Sequence, residues 1–264
     1  MTAREGALAG RSVVVTRARA QASELVQRLG ALGADVVELP VIAIEDAPDG
    51  GAALTTAAGR AVHGDYEWVV VTSANGATRL VDALGGRALP ASTRWAAVGT
   101  STAKSLKVRG VVPDLVPADA VSEALVDAFP WADTPAGGGP GPDTVERHVL
   151  FVRAERVRDV VVPGLVAKGW RVDEVVAYRT VAGVVGPGDI ERATAADAVA
   201  FTSSSTVERT VDILGVDGVP PVIVSIGPVT SGAVRAAGLE VAAEAAVHTL
   251  DGLVAAVADV LSPS

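Results

Sequence analysis

Six short turns carry the residues of this sequence that could bind a charged ligand. Each turn follows a run of β-branched residues and precedes a stretch with helical spacing. Four turns are rich in Ser, Thr and Gly and two carry arginine; they span residues 16–19, 72–75, 99–102, 153–156, 202–205 and 227–230. Backbone N–H groups and the helix dipole attract anions at the start of a helix. The turns therefore predict a site for a ligand with several carboxylate or phosphate groups.

The candidate ligand-binding residues are the polar, glycine and arginine positions in these turns. They are Thr16, Arg17, Thr72, Ser73, Asn75, Gly99, Thr102, Arg153, Thr202, Ser203, Ser204, Gly227 and Thr230. A purely structural interpretation stands beside the functional one for each of them. A hydroxyl or amide before a helix is an ordinary N-cap, an arginine can be a solvated surface residue, and a glycine can allow a tight turn.

Tyr178 is the candidate for proton chemistry. It is one of two tyrosines and lies in the segment Val-Val-Ala-Tyr-Arg-Thr at 175–180. A phenol at the floor of a binding site can donate a proton or a hydrogen bond to a departing group. The structural alternative is an interface residue whose ring is buried and whose hydroxyl faces water.

Composition excludes several classes of function. The chain of 264 residues has no cysteine and three histidines, which excludes disulfides, thiolate metal sites and a histidine-rich metal cage. No dinucleotide-binding glycine motif, P-loop or nucleophile elbow occurs. The net charge of −9 argues against nucleic-acid binding. No apolar run approaches the ~20 residues of a membrane span, and the N-terminus has no export signal, so we expect a cytoplasmic protein.

The periodicity predicts α/β architecture. Strand-like segments are 11–16, 35–39, 67–72 and 94–98, and helical segments are 21–32, 75–84 and 101–108. Repeated alternation of apolar strands and amphipathic helices is typical of a parallel sheet with helices on both faces.

The chain also repeats itself in order. At an offset of 136, Arg17 and Gly33 fall on Arg153 and Gly169. Further blocks match at offsets of 130 and 128, and they include Thr72-Ser73 with Thr202-Ser203, Gly99 with Gly227, and Thr102 with Thr230. We therefore infer an internal duplication that covers most of both halves.

A duplication allows two domain layouts. The chain could divide at the glycine- and proline-rich tract 130–142 into residues 1–130 and 149–264. Alternatively, it could cross between domains near 40–43 and 176–179, which places residues 1–41 with 181–264 in domain 1 and residues 44–178 in domain 2. Composition alone favours the first layout.

An ordered set of short motifs resembles the uroporphyrinogen-III synthase family. The motifs are Val-Thr-Arg at 15–17, Val-Thr-Ser-Ala-Asn-Gly at 71–76, Val-Gly-Thr-Ser-Thr at 98–102, Ala-Tyr-Arg-Thr at 177–180, Phe-Thr-Ser-Ser at 201–204, Ile-Gly-Pro-Val-Thr at 226–230 and His-Thr-Leu-Asp-Gly-Leu at 248–253. The resemblance runs from about residue 11 to 261.

The resemblance implies two flavodoxin-like α/β domains joined by a two-stranded linker, which is the second layout. It implies a monomeric lyase that needs no metal or cofactor and binds neither nucleic acid nor membrane. The implied reaction closes hydroxymethylbilane, a linear tetrapyrrole with eight carboxylates, to uroporphyrinogen III with loss of water and inversion of ring D.

The resemblance also implies roles for particular residues. Tyr178 would assist departure of the hydroxyl, Thr102 and Thr230 would face the binding cleft, and the turns of Ser73 and Ser203 would hold carboxylates through backbone N–H groups. Arg17 and Arg153 are added because they occupy matching positions of the repeat.

Two other functions fit the composition. A two-lobed protein that binds a small polyanion without catalysis has the same turns. A regulator that kept the fold and lost activity is also compatible with the sequence, because no acid–base constellation is diagnostic here.

Overall fold

The computed structural model describes residues 6–17, 19–132, 147–156 and 160–262. These residues form two compact units, one of Met1–Ile44 with Val181–Ser264 and the other of Glu45–Thr180. We call them unit 1 and unit 2. Most of the tract 130–142 that suggested a linker lies outside the described residues.

Unit 1 is built on a five-stranded sheet with the order β10-β9-β8-β1-β2. Its strands are β1 (Ser12–Val15), β2 (Asp35–Glu38), β8 (Ala198–Phe201), β9 (Val222–Ser225) and β10 (Ala243–Glu244). Its helices are α1 (Arg19–Ala31), α7 (Pro187–Thr194), α8 (Ser204–Leu214), α9 (Pro228–Ala236) and α10 (Leu250–Leu261). The strand neighbours are parallel.

The central strands of unit 1, β1, β8 and β9, are buried on both faces. Val13 and Val15 pack in a cluster with residues of α1 and α10, whereas Val14 packs in a second cluster with residues of α7, α8 and α9. Strands covered on both sides must be apolar throughout, which is why β1 reads as a continuous valine run.

Unit 2 is built on a sheet with the order β3-β7-β6-β4-β5. Its strands are β3 (Ile42–Asp46), β4 (Trp68–Val71), β5 (Arg94–Ala97), β6 (His148–Ala154) and β7 (Arg171–Ala182). Its helices are α2 (Ala52–His63), α3 (Ala74–Leu84), α4 (Thr100–Val108), α5 (Ser122–Ala128) and α6 (Val161–Ala167). β6 runs parallel to both β4 and β7, and β4 runs parallel to β5.

The chain passes between the units inside two neighbouring strands. It leaves unit 1 within β3 and returns within β7, and these strands are adjacent in the sheet. This pair is the two-stranded linker of the predicted fold. β4 and β6 pair in one sheet although they flank the tract 130–142, so the described chain does not divide there.

Strand register confirms the internal duplication. Ser12 pairs with Asp35 in β1–β2, and His148 pairs with Arg171 in β6–β7. The residue numbers of the second pair exceed those of the first by 136, which is the offset found in the sequence. A one-residue slip would exchange the two faces of every strand, so an identical register reflects the same packing in both units.

The second half of each repeat shows the same agreement. Trp68 pairs with Arg94 in β4–β5, and Ala198 pairs with Val222 in β8–β9, at offsets of 130 and 128. The orders β2-β1-β8-β9-β10 and β7-β6-β4-β5 are those of a flavodoxin-like sheet. In such a sheet the topological switch point lies between β1 and β8 in unit 1 and between β6 and β4 in unit 2. Ligands bind beyond the carboxyl ends of the strands at that point.

Candidate functional site

The switch point of unit 2 carries a hydrogen-bonded pair of hydroxyl groups. Tyr178 lies on β7 with only 7% of its surface exposed. Its hydroxyl donates to Oγ of Ser73, which follows β4, over 3.0 Å. This contact brings together two residues that the sequence proposed separately.

A β-bulge sets the direction of Tyr178. Arg153 of β6 is opposite Val176, but the next residue, Ala154, is opposite Tyr178. The bulge is fixed by a hydrogen bond of 2.8 Å from the backbone N–H of Glu155 to the carbonyl of Tyr178. Bulges commonly re-aim a side chain next to a functional site, and this one occurs at the residue with the candidate chemistry.

Ser73 is also the N-cap of α3. Its extended backbone, with φ of −149°, lets Oγ accept a hydrogen bond of 3.0 Å from the N–H of Gly76. Ser73 therefore accepts from both Gly76 and Tyr178, and a hydroxyl that accepts two hydrogen bonds can still donate one. The structural and functional interpretations of Ser73 are thus compatible.

The other candidates on β4 and α3 surround this pair. Thr72 follows the strand and is half-buried, and Asn75 lies half-buried in the first turn of α3. Both occupy the edge of the sheet at which Tyr178 and Ser73 meet.

Arg153 is held by its own unit. Its Nε pairs with Oε1 of Glu174 on β7, and its Nη1 donates to the carbonyls of Ala154 and Glu155 over 2.7 and 2.6 Å. Only 20% of the side chain is exposed. These contacts fix the end of β6, and the proposed contact of Arg153 with a ligand stays a prediction.

α6 is the first described helix after the turn at 153–156. In the described residues α6 begins at Val161. Pro163 lies in its first turn, and a proline deeper in a helix would remove a hydrogen bond and clash with the preceding turn.

Gly99 and Gly227 are the N-cap residues of α4 and α9. Another segment approaches each of them so closely that a side chain has little room. Their φ angles of −161° and 172° are extended, so a tight turn does not explain the glycines. A Cβ on Gly99 would lie 2.8 Å from Cβ of Ala120, and a Cβ on Gly227 would lie 3.1 Å from the ring of His248. The blocking residues are themselves 128 positions apart, so the duplication extends to this contact.

The two duplicated threonines are buried. Thr102 and Thr230 are the third residues of α4 and α9, and they are 2% and 4% exposed. Both threonines therefore belong to the first helical turn, where the free backbone N–H groups also lie.

Unit 1 has a serine turn without a tyrosine. Ser203 is the N-cap residue of α8, but its side chain makes no capping bond and instead contacts Oγ of Ser205 at 3.2 Å. Ser204 donates to the carbonyl of Val229 over 3.5 Å, which links the starts of α8 and α9, and Thr202 is half-buried.

Thr16 and Arg17 follow β1 at the switch point of unit 1. Thr16 is completely buried, and its Oγ1 has no hydrogen-bond partner within the described part of the chain. Arg17 is half-buried, and burial lowers the pKa of its guanidinium while the charge of Glu24 raises it.

A buried polar cluster in unit 1 was missed by the sequence analysis. Oγ of Ser225 and Oγ of Ser231 are 2.6 Å apart, and Ser231 also donates to Glu244. Both serines are fully buried. The repeat could have indicated this cluster, because at the offset of 128 the two serines correspond to alanines, at 97 and 103.

The candidate residues divide equally between the units. Unit 2 carries Tyr178, Thr72, Ser73, Asn75, Gly99, Thr102 and Arg153, and unit 1 carries Thr16, Arg17, Thr202, Ser203, Ser204, Gly227 and Thr230. Most of them follow a strand or begin the next helix, whereas Tyr178 lies inside β7. The direct contact between Tyr178 and Ser73 is found in unit 2.

A model of one protein family matches most of this chain. The family is described as uroporphyrinogen-III synthase HemD, and the match spans residues 23–255. The chain belongs to this family. The uroporphyrinogen-III synthase of Synechococcus elongatus is 32% identical over 272 aligned residues, which cover 96% of each protein. A porphyrin biosynthesis protein HemD of Ruminiclostridium josui is 32% identical over 119 residues, which cover 42% of this chain and 22% of that protein.

Solved uroporphyrinogen III synthases share the fold. A mutant of the Thermus thermophilus protein superposes with a TM-score of 0.61 at 19% identity and covers 96% of this chain and 99% of its own. The Helicobacter pylori protein gives a TM-score of 0.56 at 14% identity, with 93% and 97% covered. The α/β fold with parallel sheets is thus that of the uroporphyrinogen-III synthase family.

Two kinds of feature are absent from the described residues. No described helix is both long and apolar enough to span a membrane. No group of three or more His, Asp or Glu side chains in the same residues is arranged to hold a metal ion.

Proposed function

We propose that this member of the uroporphyrinogen-III synthase family is a hydro-lyase that closes hydroxymethylbilane to uroporphyrinogen III, with loss of water and inversion of ring D. The observation that carries the proposal beyond family membership is the hydrogen bond between Tyr178 and Ser73, at 3.0 Å. It supports a role of Tyr178 as proton donor, because the two hydroxyl groups meet at the switch point of unit 2, where a ligand is expected.

Tyr178 assists departure of the substrate hydroxyl in this mechanism. Its O–H turns from Ser73 to the departing oxygen, and the Ser73 hydroxyl can then donate a hydrogen bond to the phenol oxygen. The leaving oxygen gains a proton and departs as water, which gives an azafulvene. Tyr178 recovers its proton when the substrate releases one, so the net change is the loss of one water molecule.

Ring inversion requires the chain to position the substrate. Ring D attacks the azafulvene to form a spiro-pyrrolenine, which fragments and recloses with ring D reversed. These steps need no further group from the protein if the ends of the substrate are held close together, since orientation alone removes much of the barrier.

The helix starts are suited to the carboxylates of hydroxymethylbilane. α3 and α4 in unit 2 and α8 and α9 in unit 1 begin directly after strands and direct their first N–H groups beyond the sheet. This local arrangement explains how a chain of net charge −9 binds a substrate with eight carboxylates, because the field at the site decides binding. We further propose that the two units are the domains predicted as 1–41 with 181–264 and 44–178.

The proposal is tested by the rate of ring closure. Freshly prepared hydroxymethylbilane is followed with and without the purified chain, before and after dialysis against a chelator. We expect consumption in proportion to chain concentration and equal rates after dialysis. A protein that binds the tetrapyrrole without catalysis would leave closure at the spontaneous rate, and that result would contradict the proposal.

A further inference from the structure

The buried hydroxyl of Thr16 makes no hydrogen bond that would explain it in the described part of unit 1. The side chain is 0% exposed, and Oγ1 lacks a hydrogen-bond partner among the described residues. A buried polar atom without a partner destabilises a fold, so its presence calls for a ligand or another explanation.

The repeat provides a direct comparison for this position. At the offset of 136 that relates β1 to β6, Thr16 corresponds to Val152, which is also 0% exposed. Valine has the shape of threonine without the hydroxyl. Unit 2 therefore shows that the fold accepts valine here, and packing does not explain the hydroxyl of Thr16.

The following residue is an arginine in both repeats, but its contacts differ between the units. Arg153 is bound by Glu174 and by two backbone carbonyls. Glu38 of β2 corresponds to Glu174, but no hydrogen bond or ion pair joins it to Arg17 in the described structure. The guanidinium of Arg17 is thus partly withdrawn from water without an acceptor of its own among the described residues.

Both groups lie where a ligand is expected. Val15 pairs with Ala200, so Thr16 and Arg17 leave β1 beside the end of β8, at the switch point of unit 1. A hydroxyl and a guanidinium at adjacent positions supply donors for both oxygens of a carboxylate.

We propose that Thr16 and Arg17 bind a carboxylate of the linear tetrapyrrole, and that the duplicated Arg153 serves instead to hold the turn after β6. This inference rests on the proposed function, since that function supplies the acetate and propionate groups. The two units then have different roles. Unit 1 binds an anionic side chain of the substrate, and unit 2 carries the hydroxyl pair of Tyr178 and Ser73.

The test compares Thr16→Val, Thr16→Ser and Arg17→Gln with the parent chain. We expect Thr16→Val to raise the KM for hydroxymethylbilane several-fold, to leave kcat within about twofold, and to keep or raise the midpoint of thermal unfolding. Thr16→Ser retains the hydroxyl and should retain the parent KM. Arg17→Gln should raise KM about tenfold or more. Arg153→Gln should chiefly lower the unfolding midpoint, with a smaller change in KM than Arg17→Gln.

Val152→Thr is the matched control. It places the same hydroxyl at the equivalent buried position of unit 2, so we expect a lower unfolding midpoint and an unchanged KM. Equal KM values for Thr16→Val, Arg17→Gln and the parent chain would overturn the inference.

A second readout separates this inference from the proposed function. Uroporphyrin III, a stable octacarboxylate, is titrated into each variant and followed by its absorbance. Weaker binding by Thr16→Val and Arg17→Gln supports the carboxylate site even if the parent chain does not close hydroxymethylbilane, a result that would overturn only the proposed function. Equal binding by all variants overturns the site.

Discussion

At the scale of single residues, Ser73 caps a helix and, in the proposed mechanism, also supports the chemistry. It caps α3 through the N–H of Gly76 and accepts the hydrogen bond of Tyr178. Because the cap fixes the position of Oγ, the phenol is held in place before any substrate arrives. Such preorganisation is what a proton donor needs in order to act in a transition state.

Tyr178→Phe should lower kcat by at least about tenfold, because the ring packing is kept and only the proton donor is lost. We expect little change in KM or in the unfolding midpoint. The measurement is steady-state kinetics with hydroxymethylbilane, beside a thermal unfolding curve.

Tyr66→Phe is the control, since Tyr66 is the only other tyrosine of the chain. Its hydroxyl donates to Asp173 over 3.0 Å, and neither of these residues is a candidate for the site. This variant should lower the unfolding midpoint and leave kcat unchanged. An unaltered kcat in Tyr178→Phe would remove Tyr178 from the mechanism.

Sequence predicted which residues to consider but not how they combine. Tyr178 was chosen because of its motif and its place at the domain crossing, yet its contact with Ser73 spans 105 positions and depends on a bulge that has no sequence signature. The two arginines looked equivalent in the repeat. Their difference arises from whether a neighbouring glutamate pairs with them, and side-chain pairing of this kind is set by tertiary structure.

At the scale of elements, the apolar strands were the most predictable feature. β1, β4 and β5 lie within the predicted segments 11–16, 67–72 and 94–98. α3 and α4 begin one residue before the predicted positions 75 and 101, within the usual variation of helix ends.

The buried serines of unit 1 give a test at the same scale. Ser231→Ala leaves the hydroxyl of Ser225 buried without its partner, so we expect a loss of about 1–3 kcal/mol in the free energy of unfolding. The double variant Ser225→Ala with Ser231→Ala reproduces the alanines of unit 2 at 97 and 103. It should be more stable than the single variant, because it removes both partners together.

The measurement is urea unfolding of the two variants and the parent chain. Additive losses, with the double variant the least stable, would contradict the idea that the two hydroxyls form one unit. Residues in direct contact are expected to depart from additivity.

At the scale of the whole molecule, duplication makes each unit a comparison for the other. The two sheets share register position by position, as well as the glycine contacts of Gly99 and Gly227. Positions that differ between them, such as Thr16 and Val152, are therefore where divergent function is to be sought. The sequence showed this symmetry because equivalent turns kept their residue types at nearly constant offsets.

Each unit also contains a carboxylate that makes the stability of the folded state depend on pH. Hydrogen bonds from the backbone and side chain of Ser12 lower the pKa of Asp197 in unit 1. In unit 2, burial alone would raise the pKa of Asp173, but hydrogen bonds from Arg60 and Tyr66 outweigh it and lower the pKa.

Stability should therefore fall in acid. A carboxyl whose pKa is lower in the folded state contributes fully above the unfolded pKa of about 3.9, and the contribution is lost as pH falls through the folded pKa. We expect the unfolding midpoint to decline below about pH 4. Asp197→Asn and Asp173→Asn should each flatten that decline, as measured by thermal unfolding between pH 3 and pH 7.

Asp212→Asn is the control for acid stability, because its exposed pair with Arg209 at 3.4 Å should contribute little. A decline of the same steepness in Asp197→Asn, Asp173→Asn and the parent chain would show that other groups govern acid unfolding.

The most direct test of the account as a whole is the isomer composition of the product. Hydroxymethylbilane is converted by the chain, the product is oxidised to the porphyrin, and the type I and type III isomers are separated. Inversion of ring D predicts that type III predominates and that its share rises with chain concentration. Formation of type I alone, as in the reaction without protein, would contradict the account.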